Sequence, residues 1–353
     1  MVSQGKLFLV HMSSTIHILR QWARCFSTKR LLSYSNCLRH RQQFTPKFDI
    51  SKIPDLPTQK HVKLSFKQLR PHRTEIDPNA TPVLFLHGLF GSKLSFNKAG
   101  RHVSELSKRP VFAVDLRNHG DSPHALPHTY IQMAHDVSQF IEERNWEECI
   151  LVGHSMGAKV SMLVSLLKPN VVSKLIVVDN TPHSMVLGDE YANGLLGMCE
   201  VETRASEFRK ENDKGQMVVN FKEVSDFLSN YEANDLMRSL LVSNLVHKSK
   251  DFEVLKATGQ LREMFKVPVM NFWKHNVIEA MGSWPDDFQF VKKFDKPVLV
   301  MYGNRSEFVK PEYFPLFENY FDQLQFEEFD SGHWILQEQP TKFVKSVLDF
   351  ISE

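Results

Sequence analysis

The chain has 353 residues, of which 42% are hydrophobic and 24% charged, with a formal net charge of +2. That length suits one α/β domain carrying an insertion, and the composition is too apolar for a disordered chain. The charge is uneven. No acidic residue precedes Asp49, whereas Lys6, Arg20, Arg24, Lys29, Arg30, Arg39, Arg41 and Lys47 all fall in that stretch. The remainder is therefore mildly acidic and gives no case for a nucleic-acid-binding body. Cys25, Cys37, Cys149 and Cys199 form neither a Cys-x-x-Cys pair nor a zinc spacing, so no metal is expected. Their scatter points to a reducing compartment rather than a disulfide framework. No apolar run reaches the roughly 18–20 residues that a membrane span requires.

In chain order, the first predicted element lies between Ser14 and Phe26. Ile16, Ile18, Leu19, Trp22 and Phe26 fall near helical spacing, with Arg20 and Arg24 on another face. A basic, acid-free, serine-containing amphipathic helix is what mitochondrial import reads. Residues 1–26 are therefore expected to be a targeting presequence, with the matrix as destination; the plain alternative is a disordered basic tail.

After a polar lead-in with Pro54 and Pro57, the alternation of Val62, Leu64 and Phe66 has the two-residue period of a half-buried strand. Pro82–Leu86, Val111–Val114, Cys149–Val152, Leu175–Val178 and Pro297–Met301 are short continuous apolar runs, the pattern of strands buried on both faces. Helical stretches separate the early ones, at about Ser95–Lys108, Tyr130–Arg144 and Met156–Leu167. Such alternation implies right-handed crossovers and a mostly parallel sheet. It defines a first part of the core at 60–181. A polar, helical stretch with interspersed Met and aromatic residues follows at 182–290, expected as a helical cap over the active face. Met270, Phe272 and Trp273 lie within it, as cap core or as pocket lining. The second part of the core, 291–353, ends in a helix over about Pro340–Ile351.

Gly153-His-Ser155-Met-Gly157 sits between a buried strand and a helix, the setting of a nucleophile elbow. A serine at that bend lies at a helix N-terminus, where partial positive charge favours a developing anion. His87-Gly-Leu89-Phe-Gly-Ser92 follows another buried strand. An oxyanion hole needs two converging backbone N–H groups, and Leu89 and Met156 are the candidates. His87 and His154 are expected to be structural. Among the 16 histidines, His333 stands in a loop between a strand ending near Phe329 and the last helix. The chain order serine, acid, histidine suits it as the base.

The acid has two candidates. The strand Pro297–Met301 is followed by Gly303-Asn-Arg-Ser306, with serine where an aspartate commonly stands and Glu307 one step on. Asp179 ends the strand Leu175–Val178 and, at a carboxyl strand end, faces the site. Placement favours Asp179. Asp115-Leu-Arg-Asn-His-Gly-Asp-Ser122 also looks catalytic, but Arg117 and Asp121 read better as ties for a loop at the pocket floor, and Asp136 as a structural carboxylate. No dinucleotide or phosphate-binding loop is present.

With these residues in hand, the chain resembles the mitochondrial branch of the α/β hydrolases. The marks are His87-Gly-Leu-Phe-Gly-Ser92, Asp115-Leu-Arg-Asn-His-Gly120, Gly153-His-Ser-Met-Gly-Ala-Lys159, Asp179 and Gly332-His-Trp334. The resemblance implies an α/β-hydrolase fold and takes the acid from the position of Asp179. Lys93 and Lys159, in their local contexts, look most like the yeast ethanol acetyltransferases. That likeness implies acetyl transfer from acetyl-CoA to ethanol, with esterase and thioesterase side reactions on short esters and no bound cofactor. The expected catalytic set is Ser155, Asp179 and His333.

Overall fold

A computed structural model of the protein describes residues 48–71, 73–211, 213, 217–246, 264–285, 290 and 292–353. The expected presequence, residues 1–26 with Cys25, lies outside these, as does Cys37. The elements described belong to the unit Asp49–Glu353.

Seven strands form one sheet: β1 (Phe66–Gln68), β2 (Val83–Leu86), β3 (Val111–Val114), β4 (Cys149–His154), β5 (Val172–Val178), β8 (Phe294–Gly303) and β9 (Phe321–Phe329), in the order β1-β3-β2-β4-β5-β8-β9. All neighbours run parallel except the β1–β3 pair. Helices α1 (Asn97–Ser107), α2 (Tyr130–Glu142) and α3 (Met156–Leu167) make the crossovers of the first half. The apolar runs of β2 and β4 are buried throughout, as strands covered on both faces must be. α3 is buried along nearly its whole length, which explains why its sequence is apolar all round rather than striped.

Between β5 and β8 the chain leaves the sheet. α4 (Asp189–Thr203), α5 (Phe221–Leu228), α6 (Asp235–Val242), α7 (Val269–Lys274) and α8 (Val277–Gly282) pack there. A short antiparallel pair, β6 (Arg209–Glu211) with β7 (Met217–Val219), joins them. Among the described residues the insertion is thus mainly helical, as expected, with this one short hairpin in addition. Three-residue strands are too short to show a period-two pattern. The last helix runs Pro340–Ser352.

The lead-in also departs from expectation. Val62 and Leu64 are buried, yet the strand begins only at Phe66, which is exposed. Side chains intercept the preceding backbone: Val62 N–H donates to Asp136 Oδ1 at 2.9 Å and Ser65 N–H to Ser122 Oγ at 2.8 Å. Donors spent on side chains are not available to a ladder. Further upstream, Asn271 on α7 accepts from Leu56 N–H and donates to Pro54 O, both at 3.1 Å, so the lead-in straps across the insertion.

The parallel register fixes the site. Leu86 lies opposite Gly153, His154 opposite Val178, and Gly303 opposite Phe329. The loops after β2, β4, β5, β8 and β9 thus leave one carboxyl edge side by side, where open α/β sheets bind ligands.

Candidate active site

Ser155 is the single residue that turns β4 into α3. Its φ of 55° and ψ of −118° lie in a region that costs a non-glycine residue about 1–3 kcal/mol. The surrounding backbone holds it there: Ser155 N–H donates to Val178 O at 3.0 Å. The flanking glycines make the bend sterically feasible. A Cβ on Gly153 would stand 2.2 Å from Gly157 O, and one on Gly157 would stand 2.2 Å from Leu86 O. Helix α3 begins at Met156, so its first N–H groups have no intrahelical acceptor.

Ser155, His333 and Asp179 form one hydrogen-bonded chain. Ser155 Oγ and His333 Nε2 are 2.9 Å apart, and His333 Nδ1 stands 2.7 Å from Asp179 Oδ2. A carboxylate only accepts, so Nδ1–H donates to Asp179 and Nε2 is left to accept from the serine hydroxyl. Asp179 is wholly buried and its carboxylate is well supplied with donors. Gly303 N–H reaches Oδ1 at 3.2 Å, and Ser306 Oγ donates to Oδ2 at 2.5 Å. Ser306, standing where an aspartate commonly does, thus orients the Asp179 carboxylate instead of replacing it. Glu307 is not brought into this chain; its side chain is 85% exposed and paired with Lys310 at 2.5 Å. Phe308 stacks on the His333 ring at a centroid distance of 4.0 Å, restricting the imidazole from its other face.

The loop after β2 is braced by neutral histidines. Leu116 N–H donates to His87 Nε2 at 3.0 Å, so the His87 Nδ1–H donates to Gly88 O at 2.8 Å. Burial pushes the His87 imidazole down to about 4, keeping the neutral form that this pattern requires. His119 repeats the device: it accepts Phe90 N–H on Nε2 at 3.2 Å and gives Nδ1–H to Arg117 O at 3.0 Å. Burial holds it, too, well below its ordinary range. Burial likewise lowers His154 to about 4, and its Nε2–H donates to His333 O at 3.0 Å, steadying the loop that carries His333. Gly91 N–H closes a turn on Gly88 O at 2.9 Å, with Phe90 at a φ of 60°. Among the described residues, neither Leu89 N–H nor Met156 N–H donates to a backbone or side-chain acceptor. Leu89 lines the cavity above Ser155, and Met156 follows the serine directly as the first residue of α3.

The Asp115–Ser122 block is a scaffold at one remove from the serine. Arg117 and Asp121 both tie this block, each through its own partners. Arg117 is fully buried against Asp136, with Nε to Oδ2 at 2.5 Å and Nη2 to Oδ1 at 2.9 Å. Asp121 instead bridges Lys93 and Lys266, each at 2.7 Å, and so ties the insertion to the core. Lys93 also pairs with the buried Asp115.

The insertion closes the site. A narrow cavity of about 30 Å³ opens above Ser155, walled by Leu89, His333 and Trp334 from the core and by Tyr191 and Leu240 from the insertion. Phe272 stacks on His128 at 4.7 Å and is buried, which makes it insertion core; neither Met270 nor Trp273 borders this cavity. The two strands of chain that enter and leave the insertion are joined by Lys159 on α3. Its buried ammonium donates to His183 O at 2.9 Å, Gly282 O at 3.1 Å and Ser283 O at 2.8 Å. Tyr191, Leu240, Ser306 and Phe308 are not among the residues expected to act at this site. Their places follow from long-range packing, and of the four only Ser306 sits at a position that motif spacing singles out. Among the described residues no helix is long and apolar enough to cross a membrane.

Comparison with known proteins accords with this geometry. Residues 81–340 match the family described as alpha/beta hydrolase fold. A protein of Saccharomyces cerevisiae named probable alcohol acetyltransferase is 30% identical over 76% of this chain and 77% of its own length. Ethanol acetyltransferase 1 of Cyberlindnera fabianii is 30% identical over 85% of this chain and 89% of its own. Among solved structures, an esterase from a marine microorganism superimposes with a TM-score of 0.61 at 25% identity, over 82% of this chain and 99% of that one.

Proposed function

Since the chain belongs to the α/β-hydrolase family, we propose that it is a serine acyltransferase that moves the acetyl group of acetyl-CoA to a small alcohol such as ethanol. The observation that carries the reading is the unbroken Asp179–His333–Ser155 chain at the edge of the sheet, beside two backbone N–H groups without protein acceptors. The reaction begins as Ser155 Oγ attacks the thioester carbonyl carbon while its proton passes to His333 Nε2. The carbonyl oxygen becomes an alkoxide held by the Leu89 and Met156 N–H groups, where each such donor contributes roughly 2.7–4 kcal/mol to the barrier reduction. Asp179 keeps the imidazole in the tautomer that accepts this proton and stabilises the imidazolium. Collapse breaks the carbon–sulfur bond, and the thiolate leaves with the proton from His333. The alcohol then gives its proton to His333 as its oxygen attacks the acetyl-serine, and the ester departs as Ser155 Oγ regains the proton.

The acetyl choice is supported by the narrow cavity and by the names of the yeast relatives. Water in place of alcohol gives acetate by the same steps, and the likeness to a marine esterase favours that second reading. A difference of about 1.4 kcal/mol between the two acceptors changes their ratio tenfold. Product analysis of purified protein with acetyl-CoA, with and without excess ethanol, separates them. Ethyl acetate as the main product is expected. Acetate alone under excess ethanol makes the protein a hydrolase, and no turnover of acetyl-CoA or short esters removes the acyl-transfer reading altogether.

A further inference from the structure

The turn that carries Leu89 is held from the insertion as well as from the core. Asn244, just beyond α6, is buried and donates from Nδ2 to Phe90 O at 2.7 Å. The same amide group donates to Leu240 O at 3.0 Å, one turn back on the helix whose Leu240 walls the cavity over Ser155. Asn244 is itself fixed: its carbonyl accepts Lys266 N–H at 2.8 Å, beside the bridge between Leu245 and Phe265. On the opposite side of Phe90, His119 Nε2 accepts its N–H. One residue at positive φ is therefore gripped at both ends, by a core histidine and an insertion asparagine.

Building on the acyl-transfer reading, we propose that Asn244 is a positioning residue that couples the insertion to the oxyanion hole. Phe90 follows Leu89 directly, and a phenylalanine at a φ of 60° relaxes toward negative φ unless its carbonyl is restrained. Relaxation swings the Leu89–Phe90 peptide, and the tight turn passes that displacement back to the Gly88–Leu89 peptide, whose N–H is the Leu89 donor. Because Asn244 also holds the end of α6, an acyl group seated against Leu240 and the alignment of the Leu89 amide depend on one side chain. The bond makes assembly of the hole conditional on the insertion being in place.

The test compares Asn244→Ala and Asn244→Asp with the parent protein. The aspartate keeps the volume and removes the donor. Loss of a direct oxyanion donor lowers kcat roughly 100–1000-fold, and a residue acting through Leu89 is expected to lower it about tenfold, with KM changed less than about threefold. The decisive readout is the affinity for trifluoroacetone. Ser155 Oγ adds to its carbonyl carbon, the proton passes to His333, and the resulting alkoxide occupies the oxyanion hole. Its inhibition constant should weaken in step with kcat/KM in both variants, each assayed well below its own melting temperature. An Asn244→Asp protein with parental kcat and parental trifluoroacetone affinity would overturn the proposal, as would a loss confined to KM. A parent protein that turns over no ester and forms no trifluoroacetone adduct at Ser155 overturns the acyl-transfer reading and the coupling with it. An active parent with indifferent Asn244 variants overturns the coupling alone.

Discussion

The carboxyl edge of the sheet and the insertion that faces it are held by different kinds of interaction. At the sheet edge, five parallel strands end in register, and the strained residues Phe90, Ser155 and Asp179, all at positive φ, are locked by backbone hydrogen bonds and neutral histidines. The insertion reaches the core through discrete polar ties, among them Lys159 to three carbonyls, Asn244 to Phe90 O, Lys266 to Asp121, Tyr130 Oη to Met281 O and His124 Nε2 to Lys266 O. The first region is preorganised for chemistry, because each group is over-determined by the strands that deliver it. The second is docked at points, each removable by one substitution. Changes at the sheet edge should therefore act on turnover, and changes in the ties on stability and assembly, save at Asn244, whose bond ends on the edge itself at Phe90 O and so acts on turnover.

The largest effect falls on the sheet edge. Asp179→Asn preserves the shape but removes the acceptor that fixes the His333 tautomer, and kcat should fall by about 10⁴ with little change in melting temperature. Glu307→Gln, at an exposed ion pair, should stay within about twofold of the parent, since exposed pairs contribute at most about 1 kcal/mol. Steady-state kinetics on a short ester measures both. If the two results were exchanged, the acid would be Glu307 and the sheet edge would lose its distinction from the surface.

The same contrast separates what the amino acids reveal from what they conceal. Cys149–Val152, Gly153, Ser155, Gly157 and Met156–Leu167 are contiguous, so the elbow is a local pattern, and the runs of β2, β3, β5 and β8 announce a sheet in the same way. His333 is legible because it follows the last strand. Asp179 is separable from Glu307 by strand-end placement, although nothing in the sequence announces that Ser306 donates to its carboxylate. Asn244 and Tyr191 are invisible: a lone asparagine after a helix, or a tyrosine inside one, gains meaning only when segments distant in sequence meet. Lys159 stands in a recognisable motif, but its three carbonyl partners lie at the two far ends of the insertion. The short strands β6 and β7 escape notice because three residues fall below any usable period. The lead-in strand starts later than its alternation suggests because Asp136 and Ser122, far along the chain, take its N–H groups.

The ties give the next effect in size. Lys159→Met keeps the apolar stem and removes the ammonium, leaving the carbonyls of His183 and Ser283 to find other donors while Gly282 O keeps the Met185 N–H at 2.8 Å. At about 1–3 kcal/mol for each buried polar group left unmade, the variant should lose about 3 kcal/mol or more of unfolding free energy in urea. Limited proteolysis should cut sooner near 183–185 and 282–284. A Lys159→Met protein as stable as the parent would show that these hinges are held by other contacts, and the picture of an insertion docked at a few points would need redrawing.

The smallest effect concerns the histidines beneath the turn, and its sign follows from burial. His87 and His154 are held at about 4 in the folded protein against about 6.5 when unfolded. Between those values the unfolded chain binds protons that the native protein refuses, so stability falls as pH falls through this window and is fully present above it. From pH 7 to 5.5 each such histidine should cost about 1 kcal/mol. His119 and His128, also lowered by burial, act in the same direction. His87→Gln is destabilised at every pH by the loss of a brace, but its dependence on pH should be shallower by about 1 kcal/mol over this interval, as urea titrations at the two pH values would reveal. An undiminished slope would mean that His87 is solvated well enough to take up a proton in the native state. The tautomer that accepts Leu116 N–H would then not be what fixes the turn, and the rigidity ascribed to the sheet edge would rest on the strands alone.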